Sequence, residues 1–139
     1  MSEVDLVLHV VAGIIYTPEH KIFIGKRRSW DHSGGKWEFP GGKVEAKESP
    51  IQALERELIE ELGQKFVIGK KLWTGSHVYP NRRVDLELFS CPVSRELQIQ
   101  SVAHDETAWV DLKQIREYPL LEANQILIPR LSDFLRTGS

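Results

Sequence analysis

The sequence predicts an α+β fold in which a mixed sheet is flanked by helices. Short runs rich in Val, Ile and Leu between turn residues predict strands. These strands are interleaved with two or three helical segments and joined partly by hairpin-type connections, a pattern typical of this class. A chain of 139 residues, 41% hydrophobic and 27% charged, is long enough to bury a core, so we expect a single domain over residues 1–139.

The first part of the chain is predicted to be mostly strand. Residues 4–16 predict a long, largely buried strand, and residues 21–26 (KIFIGK) predict a second. The intervening Thr-Pro-Glu-His sequence favours a turn, so the two strands are expected to form a hairpin. Residues 29–36 contain Ser-Gly-Gly and predict a loop, and the short apolar run 37–39 ends at a proline and two glycines.

A helix is predicted to follow Ser49, because serine is a favoured N-cap and Pro50 is tolerated in the first turn. Gln52, three residues after the cap, completes a capping box. Gly63 is typical of the residue that ends a helix. The expected buried stripe consists of Ile51, Leu54, Leu58 and Leu62.

The second half of the chain repeats this mixture of elements. Residues 66–78, 84–93 and 107–110 predict three further strands. Residues 111–118 and 125–135 predict helices, the second of which contains Pro129.

Composition and charge exclude several classes of protein. Eighteen Lys and Arg against twenty Asp and Glu give a formal charge of −2, which argues against a protein that coats nucleic acid. The single cysteine, Cys91, is expected to be an inert buried thiol, and no Cys/His cluster has zinc spacing. No membrane-spanning run and no signal peptide are expected, so the cytoplasm is the predicted location.

Three glutamates in the predicted helix indicate a metal site. Glu57, Glu60 and Glu61 stand at i, i+3 and i+4, so they share a helix face and repel one another. Carboxylate ligands suit Mg²⁺ or Mn²⁺, and the preceding Gly-Gly-Lys turn allows close approach to a phosphate. The alternative is a solvated helix face on which Arg56 pairs with a neighbouring glutamate.

Residues 41–63 resemble the signature box of the Nudix hydrolases. The matching positions are Gly42, Glu48, Arg56, Glu57, Leu58, Glu60, Glu61 and Gly63, at the spacing of that box. Gln64 departs from the pattern, because the family usually has an aliphatic residue at that packing position.

The resemblance implies an α/β/α sandwich, bound Mg²⁺ and hydrolysis of a nucleoside diphosphate linked to another group. It assigns metal binding to Glu57, Glu60 and Glu61, with Glu48 assisting and a backbone carbonyl of Gly41 or Gly42 completing the coordination. It also implies that Arg56 orients a box carboxylate. Glu57 and Glu61 rank first as the general base. Glu106, expected in the loop before residues 107–110, is either an extra ligand or base, or a solvated carboxylate.

Residues 22–28 (IFIGKRR), 37–45 (WEFPGGKVE) and 122–131 (EANQILIPRL) resemble the MutT-type branch, which sanitises nucleotide pools. That likeness implies that Arg27 and Lys43 bind substrate phosphates. Phe39 corresponds to a wall of the base pocket or is simply core. Asn124 offers a donor and an acceptor that can read a purine edge, or it caps the following helix.

These assignments predict Mg²⁺-dependent conversion of a nucleoside triphosphate to a monophosphate and pyrophosphate, with 8-oxo-dGTP as the leading substrate. CTP or another pyrimidine triphosphate, and triphosphorylated RNA 5′ ends, are alternatives with the same chemistry. Alternatives of another class are a non-catalytic nucleotide-binding module and a Mg²⁺-stabilised interaction domain. We expect no membrane partner, no stable nucleic-acid binding, and a monomer or homodimer.

Overall fold

The structure, a computed structural model, describes residues 6–137 and confirms a mixed sheet flanked by helices. Residues 4 and 5 of the first predicted strand lie outside the described residues. The strands are β1 (Val7–Tyr16), β2 (Ile22–Arg27), β3 (Trp37–Glu38), β4 (Gly41–Lys43), β5 (Lys71–Tyr79), β6 (Arg82–Pro92) and β7 (His104–Val110). The helices are α1 (Pro50–Leu62), α2 (Leu112–Ile115), α3 (Glu122–Gln125) and α4 (Ile128–Thr137).

Strand β1 lies in the centre of the sheet and holds its two halves together. It pairs in parallel with β6 along its whole length, and β5 pairs antiparallel with β6 beyond it. On its other edge, β1 pairs with β4 over Val10–Ala12, while its last residue, Tyr16, pairs with Ile22 of β2. The predicted β1–β2 hairpin is therefore confirmed only at its turn, because β4 occupies the edge of β1 along which a longer hairpin would continue.

The alternating side chains of β1 face two hydrophobic layers. Val11 and Ile15 pack in a cluster with Leu54 of α1 on one face. Ala12 and Ile14 belong to the cluster on the other face, which contains buried residues of α2 and α4. The arrangement is the α/β/α sandwich that the family resemblance implies.

Helix α1 begins and ends where the sequence predicts. The Ser49 hydroxyl accepts a hydrogen bond from the Gln52 amide at 3.1 Å, and the Gln52 side chain accepts one from the Ser49 amide at 2.9 Å. Gly63 ends the helix in the left-handed conformation, with φ of 71°. The prediction that Ile51 belongs to the buried stripe is wrong: Ile51 is 42% exposed, because burial of the helix starts only at Ala53.

The strands of the second half differ from their predicted bounds at the ends. The strand predicted from residue 66 begins only at Lys71. Before it, the Gly69 amide donates to the Ser90 carbonyl at 2.7 Å, and the Ser90 hydroxyl fills the space of a Cβ at position 69, so this stretch forms no regular ladder. The other two strands are longer than predicted. Cys91 is buried within β6, as expected, and burial raises the pKa of its thiol to about 12.

The last predicted helices are shorter and more divided. The helix predicted over 111–118 is the single turn α2, which Asp111 caps by accepting the Gln114 amide at 2.7 Å. The helix predicted over 125–135 is two helices, α3 and α4. Pro129 lies in the first turn of α4, where a missing amide hydrogen costs no helical bond. In residues 6–137, no helix combines the length and apolar character needed to cross a membrane.

Packing of α1 on the sheet predicts a large difference between two aliphatic truncations. Leu54→Ala removes a fully buried side chain and is expected to lower the free energy of unfolding by about 2–5 kcal/mol. Ile51→Ala, one turn earlier and exposed, is expected to change it by less than about 1 kcal/mol. Urea unfolding of both variants measures the difference, and equal losses would contradict the packing described for α1.

Candidate active site

A cavity of about 1050 Å³ gathers residues from most of the fold. Its lining comes from β1, β4 and α1, from the β5–β6 hairpin, and from α3. The predicted site residues along its wall are Arg27, Phe39, Gly42, Lys43, Glu57, Glu61 and Asn124. The sequence places these residues up to nearly a hundred positions apart, and the fold brings them to one cavity.

Glu61 is the most strongly perturbed acid of this cavity. Its Oε1 is buried and has no hydrogen-bond partner among the described residues. Burial, together with the neighbouring charges of Glu57 and Glu38, raises the pKa of Glu61 to about 8, against a hydrogen bond from the Gly41 amide. The ionised form of Glu61 is thus short of positive partners.

Glu57, one turn before Glu61, packs directly on strand β4. A Cβ added to Gly42 would collide with the Glu57 carboxylate, so only glycine allows this approach. Burial raises the pKa of Glu57, opposed by the charge of Arg56 and by a hydrogen bond from the Lys43 amide. Gly42 therefore has a structural reason to be glycine, alongside its predicted role as a carbonyl ligand.

Arg56 pairs with the other two glutamates predicted to bind metal, Glu48 and Glu60. Its Nε and Nη2 donate to the two oxygens of Glu48 at 2.6 and 3.0 Å, and its Nη1 donates to Glu60 at 3.3 Å. The guanidinium lowers the pKa of Glu48 to about 2. The side chain of Glu60 is 57% exposed. The pairing of Arg56 with a box carboxylate is as expected. Its Nη1 also lies 3.8 Å from Oε2 of Glu57, so Arg56 pairs with three of the four predicted glutamate ligands, all but Glu61.

The residues present fit a divalent cation at Glu57 and Glu61. Across residues 6–137, no three His, Cys, Asp or Glu side chains already converge closely enough to hold a metal ion. Like charges separate unless a cation lies between them, and Arg56 draws two of the glutamates to itself. A buried carboxylate oxygen without a partner beside a second carboxylate is a donor set suited to a hard ion such as Mg²⁺.

Two predicted phosphate-binding cations lie on the cavity wall. Arg27 is anchored by Nε, which donates to the His32 carbonyl at 2.9 Å, and by Nη1, which donates to Glu38 at 3.0 Å. Its Nη2 makes no hydrogen bond to any described residue. Lys43 is exposed at the end of β4, while its carbonyl accepts a hydrogen bond from Arg56 at 3.0 Å.

Asn124 does not cap a helix. It lies inside α3, whose N-cap is Leu121, so the capping interpretation is wrong. The Asn124 Oδ1 instead accepts a hydrogen bond from the Phe39 amide at 3.0 Å, across 85 positions of sequence. Phe39 is both core and cavity wall, which joins the two interpretations of that residue.

Glu106 is not brought to the other predicted residues. It lies within β7 rather than in the preceding loop, its side chain is 61% exposed, and it pairs with Lys26 at 3.0 Å. Lys26 and Glu106 are partners in the β2–β7 ladder, which explains the pairing. This arrangement favours the solvated alternative for Glu106.

The sequence reasoning missed Glu38, which lies on the cavity wall between Arg27 and His104. A signal for it exists in the sequence. Trp37 is apolar and lies in a short strand that ends before Pro40. Because successive side chains of a strand point to opposite faces, Glu38 points to the face opposite the buried Trp37. Nothing local, however, indicates that this face is the wall of a cavity.

Known proteins resemble this chain over most of its length. The family described as NUDIX domain matches residues 11–130. A CTP pyrophosphohydrolase of Escherichia coli (strain K12) is 34% identical over 135 residues, which cover 92% of this chain and 91% of that protein. An 8-oxo-dGTP diphosphatase of Proteus vulgaris is 45% identical over 82 residues, 59% of this chain and 73% of the relative.

A solved structure agrees with these matches. The solution structure of the E. coli ORF135 protein has a TM-score of 0.77 to this chain at 32% identity, covering 96% of this chain and 92% of that one. Since the family match spans residues 11–130 and one relative is covered over nine-tenths of both lengths, the chain belongs to the Nudix hydrolase family.

Proposed function

We propose that this protein hydrolyses a nucleoside triphosphate to a monophosphate and pyrophosphate with Mg²⁺, and that 8-oxo-dGTP is its leading substrate. The observation that carries the proposal is the unpartnered buried oxygen of Glu61, beside Glu57, on a cavity that Arg27 and Lys43 also line. Hydrolases of this family generally need a divalent metal ion. The Proteus relative named 8-oxo-dGTP diphosphatase supports the choice of substrate.

The chain supplies most of what this reaction needs. Glu57 and Glu61 would hold a divalent ion, which would supply positive charge that offsets repulsion between the phosphates and an attacking water. Arg27 and Lys43 bind the phosphates as fixed cations. Glu57 and Glu61 are the two candidates to accept the proton of the water, since both carboxylates reach the cavity. Arg56 positions this helix face through Glu48 and the Lys43 carbonyl.

The geometry of Asn124 supports an oxidised purine. The Phe39 amide fixes the side-chain amide by occupying one lone pair of Oδ1, so Nδ2 and the second lone pair of Oδ1 remain. An 8-oxoguanine base presents the O6 acceptor beside an N7–H donor, whereas guanine has acceptors at both positions. Asn124 matches the oxidised pattern with one donor and one acceptor.

CTP is the second candidate substrate. The relative named CTP pyrophosphohydrolase aligns with 92% of this chain, a longer match than that of the diphosphatase. Cytosine lacks the five-membered ring of a purine, so it would leave part of the base region unfilled. Cytoplasmic location and a monomeric or homodimeric state remain predictions.

Loss of the Glu61 charge is expected to abolish most of the activity. Glu61→Gln should lower kcat about 10²- to 10⁴-fold with Mg²⁺ present, because it removes a metal ligand or base without changing the shape of the side chain. Glu60→Gln, on the same helix but paired with Arg56, should lose less. The activity of both variants is measured as pyrophosphate release from 8-oxo-dGTP. Full activity of Glu61→Gln would contradict the proposed function.

Burial of Glu61 also predicts how stability depends on pH without metal. Its folded pKa of about 8 lies above the ordinary value of 4.5, so its protonated form is favoured by folding and stability is lost as pH rises toward 8. In EDTA, Glu61→Gln should match the wild type near pH 4 and melt several degrees higher at pH 9. Mg²⁺ should raise the Tm of the wild type more than that of the variant.

Thermal unfolding from pH 4 to pH 9 measures this effect. The control is Glu60→Gln, since Glu60 lies on the same helix and is largely exposed. A Tm difference between Glu61→Gln and the wild type that does not grow with pH would show that Glu61 is not held in an unfavourable charged state.

Replacing Asn124 separates the two candidate substrates. Asn124→Asp keeps an oxygen that accepts the Phe39 amide but removes the Nδ2 donor and adds a negative charge. We expect kcat/KM for 8-oxo-dGTP to fall about tenfold or more relative to CTP, because the O6 acceptor is left without its donor. Asn124→Ala, which removes both groups, is the comparison that reveals loss of support for Phe39.

The measurement is kcat/KM for 8-oxo-dGTP, dGTP, CTP, dCTP and ADP-ribose with each form of the enzyme. An unchanged ranking of these nucleotides in Asn124→Asp would exclude base recognition by Asn124. A wild-type preference for CTP would make the second candidate the correct one.

A further inference from the structure

His104 is a buried residue whose two ring nitrogens both have partners. It is the first residue of β7, and its side chain is 0% exposed. Its Nδ1 lies 2.6 Å from the Ser101 hydroxyl, and its Nε2 lies 3.0 Å from Oε2 of Glu38. The ring therefore connects a loop serine with a carboxylate of the cavity wall.

The directions of these hydrogen bonds form one consistent chain. The Ser101 hydroxyl oxygen accepts the Ala103 amide, so its hydrogen is available to His104 Nδ1. Nε2 then carries the ring hydrogen and donates to Glu38, which accepts only, as a carboxylate. The second oxygen of Glu38 accepts Nη1 of Arg27 at 3.0 Å. Glu38 is thus held from both sides, by His104 and by Arg27.

The backbone is arranged for this contact. Gly25 lies under the imidazole ring: a Cβ there would lie 2.5 Å from Cγ of His104. Gly25 pairs with Glu38 in the β2–β3 ladder. In the β2–β7 ladder, Arg27 pairs with His104 after a register shift between Lys26 and Arg27. Such irregularities re-aim side chains. Three adjacent strands, β3, β2 and β7, each supply one member of the network.

The loop that contains Ser101 also contacts helix α1. The Val102 amide donates to the carbonyl of Glu61 at 2.9 Å, two residues before His104. Residues 101–104 therefore contact both the helix that carries Glu57 and Glu61 and the partner of Arg27. These residues therefore connect the part of the cavity wall proposed to bind metal, at Glu57 and Glu61, with the part proposed to bind phosphate, at Arg27.

We propose that His104 is a positioning residue for Arg27 and acts through Glu38. With Nε on the His32 carbonyl and Nη1 on Glu38, the guanidinium has a fixed plane, and Nη2 stays available for a substrate phosphate. The inference rests on the proposed phosphate-binding role of Arg27. Without His104, Glu38 loses one of its two anchors, and the guanidinium can leave the orientation that binds substrate.

A double-mutant cycle tests this coupling. His104→Leu keeps the ring volume approximately but removes both hydrogen bonds, and it should raise KM for the triphosphate about 3- to 10-fold with a smaller change in kcat. In an Arg27→Ala background the same substitution should change KM by less than about 2-fold. Equal increases in KM in the two backgrounds would overturn the proposal.

Rescue distinguishes positioning from simple loss of core packing. His104→Gln places an amide donor near the position of Nε2 and should return KM to within about 2-fold of wild type. Lys26→Gln, which removes the neighbouring exposed ion pair of the same ladder, is the control. Should His104→Leu fail to fold, Ser101→Ala leaves the ring in place and should shift KM in the same direction. No shift in Ser101→Ala would count against the proposal.

A second measurement does not depend on turnover. The Arg27 Nε–H resonance, assigned by its loss in Arg27→Lys, should exchange faster with solvent in His104→Leu than in wild type. Unchanged exchange would overturn the positioning role. If Arg27→Ala left KM unchanged while Arg27 exchange still responded to His104, the phosphate-binding role of Arg27 would fail and the positioning role would stand.

Discussion

The site depends on one electrostatic constraint: among the acids that line the cavity, Glu38 and Glu57 lie near enough to Glu61 to raise its pKa. Each charge raises the cost of ionising its neighbours where water is partly excluded. The protein compensates Glu38 with Arg27 and His104, and Glu57 with the Lys43 amide and the nearby charge of Arg56. One oxygen of Glu61 is compensated by nothing among the described residues. That oxygen is where a cation from solution gains most by binding.

The fold places these charges through packing that is unrelated to chemistry. Helix α1 is fixed at both ends by its caps and along its length by buried leucines, which determines how it lies on the sheet. Glu57 and Glu61 lie beside the leucine stripe and are therefore placed over β4. Strand β4 can receive them because Gly42 leaves room for a carboxylate. β4 lies there because it takes the edge of β1 that a full hairpin with β2 would have used. Because β4, and not β2, pairs with this part of β1, β4 forms the surface on which the two glutamates lie.

Local signals in the sequence were sufficient for α1 and insufficient for the pairing around it. Ser49, Gln52 and Gly63 determine the helix ends through contacts within a few residues, and the box spacing identifies the acids. The parallel pairing of β1 with β6 joins residues more than seventy positions apart, which no local pattern encodes. The sequence also does not show which of the box glutamates pair with Arg56, because that depends on which carboxylates its guanidinium reaches in three dimensions. Asn124 lies on the cavity wall, but its partner, the Phe39 amide, is visible only in three dimensions.

Arg56 explains how an acidic chain can still offer cations to a polyanion. Its guanidinium donates to Glu48, Glu60 and the Lys43 carbonyl and lies 3.8 Å from a carboxylate oxygen of Glu57, so it neutralises acids of the chain rather than the phosphates. Arg27 has spare donors, and the Lys43 ammonium pairs with no acid in the described part of the chain. The net charge of −2 averages over these separate roles. For the proposed triphosphate substrate, affinity would follow instead from the cations that line the cavity without an acid partner, Lys43 among them, from the spare donors of Arg27, and from the ion that Glu57 and Glu61 would hold.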